Sequence, residues 1–252
     1  MTYGSTSRNI SILTLSTFVI AIMGLFNTGW FVWSNLLITA VSFYILNILG
    51  VWMTMHRYYS HKSFKFRHNF IEKIFLLLAL LAGRGSPLGW VYLHRQHHAY
   101  SDTEKDPHSP KHLGFKMFGF SHFKKQEENM KLFLIKDLMT KEQIFIHTWY
   151  ALGLFSFCVL FALTNFTLFY FAWVLPAVII QISQSVFNYC GHTYGYRNEN
   201  TTDDSRNCPY LFPLLLGEAW HNNHHAVASS YSTTVKPYEI DPMAWLIKVI
   251  QK

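Results

Sequence analysis

The chemistry in this chain is concentrated in its histidines. His56 and His61 lie in His-Arg-Tyr-Tyr-Ser-His, His94, His97 and His98 in His-Arg-Gln-His-His, and His221, His224 and His225 in His-Asn-Asn-His-His. Asn188 and His192 stand four apart. On a helix, positions i, i+3 and i+4 share one face, so each His-x-x-His-His sets three imidazoles side by side. A tetrahedral zinc site takes four ligands. Nine neutral imidazoles and an amide exceed that, and two metals with four or five nitrogens each would use the set. Imidazole suits zinc, copper, iron and nickel, so ligand type leaves the metal open. Chance placement would give roughly 0.04 copies of His-x-x-His-His in such a chain; there are two. His68, His112, His122 and His147 read as packed or solvated side chains, and His108, in Asp-Pro-His-Ser-Pro, as a candidate outer partner of a ligand.

Other chemistries lack their residues. There is no His-Glu-x-x-His protease motif, phosphate-binding loop, dinucleotide fingerprint or Gly-x-Ser-x-Gly elbow. A carboxylate-bridged di-iron bundle needs two Glu-x-x-His pairs, and only Glu218 and His221 have that spacing.

The elements that position the histidines are membrane helices. Only 14% of the 252 residues are charged, while 50% are hydrophobic and 17% aromatic; a soluble domain carries about 25% charged residues. Residues 9–55 and 144–196 contain no Asp, Glu, Lys or Arg. Each stretch exceeds the ~20 residues that one helix needs to cross the hydrocarbon. Asn27-Thr28-Gly29 and Thr164-Asn165 interrupt them as turns. We expect an all-α membrane protein with four transmembrane helices in two hairpins, at about 9–26, 30–55, 144–163 and 166–188, in a single domain over 1–252. Pro176 sits inside the fourth, where a bundle can absorb a kink. Residues 71–82 are apolar but too short to span, which predicts an interfacial or shallowly re-entrant helix.

Arg8 precedes the first stretch, and the other Lys and Arg lie in 56–143 and after residue 196. The positive-inside rule puts both termini and a cap built from 56–143 and 189–252 in the cytoplasm. The net charge of +7 is then an orientation signal and a contact for anionic membrane lipid, with no nucleic-acid partner expected. The first apolar run reads as a retained span, since no basic n-region and cleavage site precede it. Cys158, Cys190 and Cys208 are unclustered and fit a reduced protein without disulfides.

From His56 to His225 the sequence resembles the integral-membrane fatty acid desaturases, delta-9 type. The resemblance rests on the order and spacing of the three boxes and on Ser101-Asp102-Thr103-Glu104-Lys105-Asp106-Pro107-His108 after the second. It also includes Asn188-x-x-x-His192, Gly195-Tyr196-Arg197, Asp204-Ser205-Arg206-Asn207 and Gly217-Glu218-Ala219-Trp220. It implies four spans under a cytoplasmic cap that holds two non-haem iron ions. His56, His61, His94, His97, His98, His192, His221, His224 and His225 match the ligands, and Asn188 the position that reaches iron through water. The implied reaction uses O₂ and two electrons to place a cis double bond in a saturated acyl chain. Hydrogen removal from unactivated methylenes is chemistry for a metal centre, with the protein supplying position and dryness. Asp102, Asp106 and Glu218 are candidates to orient ligand imidazoles through their second N–H.

The chain would lie in a narrow apolar tunnel walled by the second span, with Tyr44 as its cap and Ala40 one turn beyond. Where acyl-CoA members often carry Arg-Asp before the second box, this sequence has Tyr92 and Leu93. That turns the expected substrate from acyl-CoA toward an acyl-lipid or acyl-carrier conjugate, with Lys124 and Lys125 as candidate head-group contacts. Electrons are expected from a separate ferredoxin or small b-type cytochrome. A hydroxylase or carotenoid ketolase with the same site is the nearest alternative. A non-catalytic membrane metal-binding protein is a remote one, since it predicts ionisable groups within the spans.

Overall fold

A computed structural model of the chain describes residues 3–114 and 132–252; Lys124, Lys125 and His122 lie outside the described residues. In chain order the main helices are α1 (Tyr3–Leu25), α2 (Trp33–Ser60), α3 (Asn69–Leu81), α4 (Pro87–Tyr100), α5 (Lys141–Thr164), α6 (Phe166–Gly191), α7 (His221–Ala226) and α8 (Pro242–Ile250). α1, α2, α5 and α6 are long and apolar enough to cross a membrane. At the second interruption a polar residue caps the helix that follows. Asn165 Oδ1 accepts from the Leu168 N–H at 2.9 Å, starting α6, and Asn35 Nδ2 donates to the Trp30 carbonyl at 2.8 Å behind the Thr28–Trp30 turn. The connections are short, but the packing crosses them. α1 lies on α5 and α6, and α2 on α6.

Between the helices, Phe43, Leu46, Val51, Tyr170, Phe171 and Trp173 form an apolar core. Polar groups inside it must be satisfied within the protein, because hydrocarbon offers no partner. Thr39 Oγ1 donates to the Phe171 carbonyl at 2.9 Å, Tyr170 Oη to that of Ala21 at 2.7 Å and Trp173 Nε1 to that of Leu81 at 2.8 Å. Pro176 follows a wide π-type turn at Tyr170–Val174; this is one way a helix accommodates a residue without an N–H.

The second span also changes its winding. From Ile45 to Ser60 it runs as a π-helix, with i→i+5 bonds and more residues per turn than an α-helix. Ala40 and Tyr44 precede this segment on an exposed face and line neither of the two described cavities. The Tyr44 hydroxyl donates to the Pro213 carbonyl. Counting back three α-turns from His56 does not place these residues, because the register shifts between them.

The short apolar segment is α3, which packs along the π-wound half of α2. A Cβ on Gly50 would sit 2.7 Å from the Leu78 carbonyl oxygen, so only glycine permits this approach. Phe75, Leu76 and Ala79 face inward, while Phe70, Ile74 and Leu77 are exposed.

Candidate metal centre

Three devices bring the histidine segments together. The first is Arg95, inside the second box. It donates to the carbonyls of Tyr59, Ser60 and Leu134 at 2.8–2.9 Å and forms a two-pronged pair with Asp137 at 2.6 and 3.2 Å. Such planar, forked geometry fixes angle as well as distance, so α4 is held against the end of α2.

The second is Arg57, beside His56 and fully buried. Its Nε donates to Glu218 at 2.8 Å, and its Nη1 to Asp241 at 2.8 Å and to the Tyr231 carbonyl at 2.7 Å. The other Glu218 oxygen lies 3.0 Å from His56 Nδ1, at an angle short of a hydrogen bond. Burial alone would raise the Glu218 carboxyl, but the adjoining His56 ring and the Arg57 guanidinium hold it down at about 2.

The third is a buried amide network behind α7, a helix too short to be stable alone. Asn207 Oδ1 accepts the Asn222 N–H at 2.9 Å, Asn222 Oδ1 accepts the N–H groups of Asn198 and Glu199, both at 2.9 Å, and Asn223 Nδ2 donates to Glu239 at 2.8 Å.

The nine rings fall into two clusters. His56, His61, His94, His98 and His224 form one, and His97, His192, His221 and His225 the other; in each, one nitrogen per ring lies within 4.8 Å of all the others. Two metal–nitrogen bonds of about 2.1 Å across one ion set the same scale. In the first cluster, Nε2 atoms meet at 2.7 Å (His61 and His94), 3.0 Å (His56 and His224) and 3.2 Å (His98 and His224). In the second, His192 and His221 meet Nε2 to Nε2 at 3.0 Å. The buried Nε2 atoms of His97 and His225 have no hydrogen-bond partner. The clusters adjoin, with His98 stacked on His225 at 4.3 Å between ring centroids.

Carboxylates hold three rings of the second cluster from behind. Asp106 takes His97 Nδ1 at 2.9 Å, Asp102 takes His192 Nδ1 at 2.9 Å and Asp203 takes His225 Nδ1 at 2.6 Å. Such contacts fix the tautomer that turns Nε2 inward and raise its basicity. Burial opposes the Asp106 and Asp203 charges, yet the His97 pairing brings Asp106 down to about 2 and His225, Ser205 and Thr201 hold Asp203 lower still.

Burial, followed by mutual repulsion, pushes the His61, His94, His98, His221 and His224 imidazoles well below 6.5. The rings are therefore neutral near pH 7 with lone pairs free to coordinate. Converging neutral nitrogens, two of them buried and unpartnered, fit divalent transition metals; no carboxylate belongs to either cluster among the described residues.

The remaining expected site residues lie around the clusters. Asn188 lines the cavity described below, beside His221 and Phe187. His108 belongs to neither cluster. Its backbone N–H donates to Asp106 at 2.8 Å, and its ring lies 5.9 Å from that of His97 between centroids. His147 is buried against the Ser86 hydroxyl at 2.6 Å, and His112 Nε2 lies 3.2 Å from the Asp102 carbonyl oxygen. Sequence reasoning missed Asp203, Arg57 and Asp241. The Asp203-Asp204 doublet offered a signal for the first but not which member turns inward. Asp203 meets His225, while the Asp204 backbone N–H donates to Asp102 at 2.8 Å.

A cavity of about 1010 Å³ opens on both clusters, reaching His94 of one and His97 and His221 of the other. Trp52, Trp90, Leu93 and Phe187 supply much of its apolar wall. Trp90 stacks on His94 at 4.9 Å and Phe187 meets His221 edge-on at 4.5 Å.

Four apolar helices, nine clustered imidazoles and a cavity beside them define a membrane metalloenzyme type. The chain matches the family described as fatty acid desaturase over residues 28–248, and it belongs to that family. It is 34% identical to the delta-9 acyl-lipid desaturase 2 of Arabidopsis thaliana, over 92% of this chain and 76% of that protein. It is 30% identical to the sn-1 stearoyl-lipid 9-desaturase of Synechocystis, over 86% and 69%. It is also 30% identical to an acyl-CoA C20 delta5-desaturase of Anemone leveillei, over 91% and 75%.

Proposed function

We propose that the protein is an O₂-dependent acyl desaturase of the delta-9 type, acting on a saturated chain carried by a lipid. The observation that carries this reading is the cavity that touches both histidine clusters at once: a methylene pair held there faces both metal positions. Iron at both clusters would supply the O₂ chemistry by which two hydrogens leave adjacent carbons, two electrons from a separate ferredoxin or small cytochrome completing the reduction of O₂ to two waters.

The chain's own residues prepare that step. His56, His61, His94, His98 and His224 offer five nitrogens to one ion, and His97, His192, His221 and His225 offer four to the other. Asn188, at the cavity wall, would reach a metal through a water. Asp102, Asp106, Asp203 and Glu218 keep four of the rings turned. Trp52, Trp90 and Phe187 exclude water and fix the chain, so that position selects the carbons that react. Relatives named for acyl-lipid substrates, together with Tyr92 and Leu93 before the second box, support a lipid-borne chain over a CoA thioester. Positive-inside asymmetry supports placing the termini and the metal centre on the cytoplasmic side.

The test is expression in a desaturase-deficient host, with mass spectrometry of its lipids and localisation of double bonds. New cis-monoenes between carbons 9 and 10 are expected. Hydroxylated chains without new alkenes would assign an oxygenase in its place.

A further inference from the structure

One wall of the cavity carries donors with no acceptor. Arg84 lies in the loop between α3 and α4, flanked by Gly83 and Gly85 at φ of 74° and 92°. Those left-handed angles favour glycine, and between them the loop turns the Arg84 side chain into the cavity. Its Nε donates to Gln184 Oε1 at 2.8 Å. That bond fixes the amide orientation and points Gln184 Nε2 the other way. Gln184 is only 5% exposed, and its Nε2 has no partner. Among the described residues the guanidinium makes no other hydrogen bond, and no carboxylate pairs with it. Burial pulls it down to about 10, so it is charged at neutral pH.

Arg84 is half-buried, and a partly desolvated cation without a counter-charge is unfavourable, as is the buried Gln184 donor without an acceptor. A hydrocarbon chain relieves neither. Gln184 stands one helical turn before Asn188 on α6, so this donor group lies about 6 Å along the helix from the metal-facing amide. A second, apolar cavity of about 400 Å³ shares Ile10, Thr14 and Gly83 with the first.

We propose that Arg84, with Gln184 Nε2, binds an oxyanion at the head of the acyl substrate, either the carboxylate of an unesterified chain or the phosphate of a phospholipid. The site rests on the acyl-chain reading of the cavity but not on the reaction performed there. Arg84 and Gln184 are positioning residues, since they hold the head while the chain reaches the metals.

The test is displacement of a fluorescent acyl probe from the full-length protein in detergent, without O₂ or reductant, so that binding is read apart from turnover. Two matched pairs are compared: stearate with methyl stearate, and 1-stearoyl lysophosphatidic acid with 1-monostearoylglycerol. The protein should prefer the anionic member of at least one pair by about tenfold to a hundredfold, the range for charge-assisted hydrogen bonds. The pair that responds identifies carboxylate or phosphate. Arg84→Gln should abolish that preference with little change for the neutral member. Arg84→Lys should keep most of it, and Gln184→Leu should lose a smaller part. Equal affinity within both pairs in the unaltered protein overturns the proposal, whichever variants fold. So does an Arg84→Gln protein that weakens neutral and anionic members alike. The preference would stand even if host lipids contained hydroxylated chains, so the two readings fail separately.

Discussion

Asp203→Asn isolates one of the two clusters. Asp203 Oδ2 accepts from His225 Nδ1 at 2.6 Å, while Oδ1 is taken by the Ser205 hydroxyl at 2.5 Å and the Thr201 hydroxyl at 2.7 Å. The two hydroxyls fix which oxygen an asparagine would keep in place, and its NH₂ would then face the His225 N–H. Donor would oppose donor, so the ring must rotate or change tautomer, and Nε2 leaves the cluster. The loss is a hydrogen bond to a charged group, about 1.5–3 kcal/mol, or roughly a 10- to 150-fold fall in metal affinity. The four-histidine cluster takes the direct loss, because none of His56, His61, His94, His98 and His224 hydrogen-bonds Asp203, and His98 feels it only through its stacking on His225. If iron fills both clusters as proposed, iron per chain should fall from two toward one after dialysis against a competing chelator, with turnover down at least tenfold. A variant that keeps two irons with unchanged retention refutes the role given to Asp203.

Two further outcomes follow from packing and burial. A Cβ at position 191 would lie 2.8 Å from His221 Cδ2, so Gly191→Ala should push that ring aside and cost about 1–3 kcal/mol. Metal analysis should show iron lost chiefly from the four-histidine cluster, and full iron content would contradict the fit. For the metal-free protein, His61, His94, His98, His221 and His224 stay neutral in the fold below 6.5, whereas the unfolded chain takes up protons there. Stability should be fully present above about pH 6.5 and fall as pH drops below it, by up to about 1.4 kcal/mol per pH unit per ring. Unfolding midpoints in detergent from pH 7.5 to 5 test this, and a flat profile would refute it.

The spans were legible because apolar runs without charge have few alternatives in a chain this long. The histidines were legible because their spacing repeats. Their partition was not. His94 and His98 enter one cluster while His97 enters the other, and in the third box His224 parts from His221 and His225. Three residues at i, i+3 and i+4 share a face, yet i+3 lies about 60° to one side of i and i+4 about 40° to the other. Two sites can therefore divide them, and which ring goes where depends on what stands opposite. Asp102, Asp106 and Glu218 could be named because they sit beside the boxes. Asp203 could not, since a loop decides which of two adjacent aspartates turns inward. The face of α2 that Tyr44 and Ala40 take was not legible either: helical counting assumes one residue pitch, and α2 changes its pitch at Ile45.

The division of ligands also bears on how the protein is made. Four of the five nitrogens in one cluster come from the first hundred residues and the fifth from His224, while the other cluster joins His97 to His192, His221 and His225. Neither set is complete until the ribosome has delivered the last box. Metal loading is thus a closing event of biogenesis, and a nascent chain stalled before that point would carry open imidazoles ready to capture whichever divalent metal is at hand.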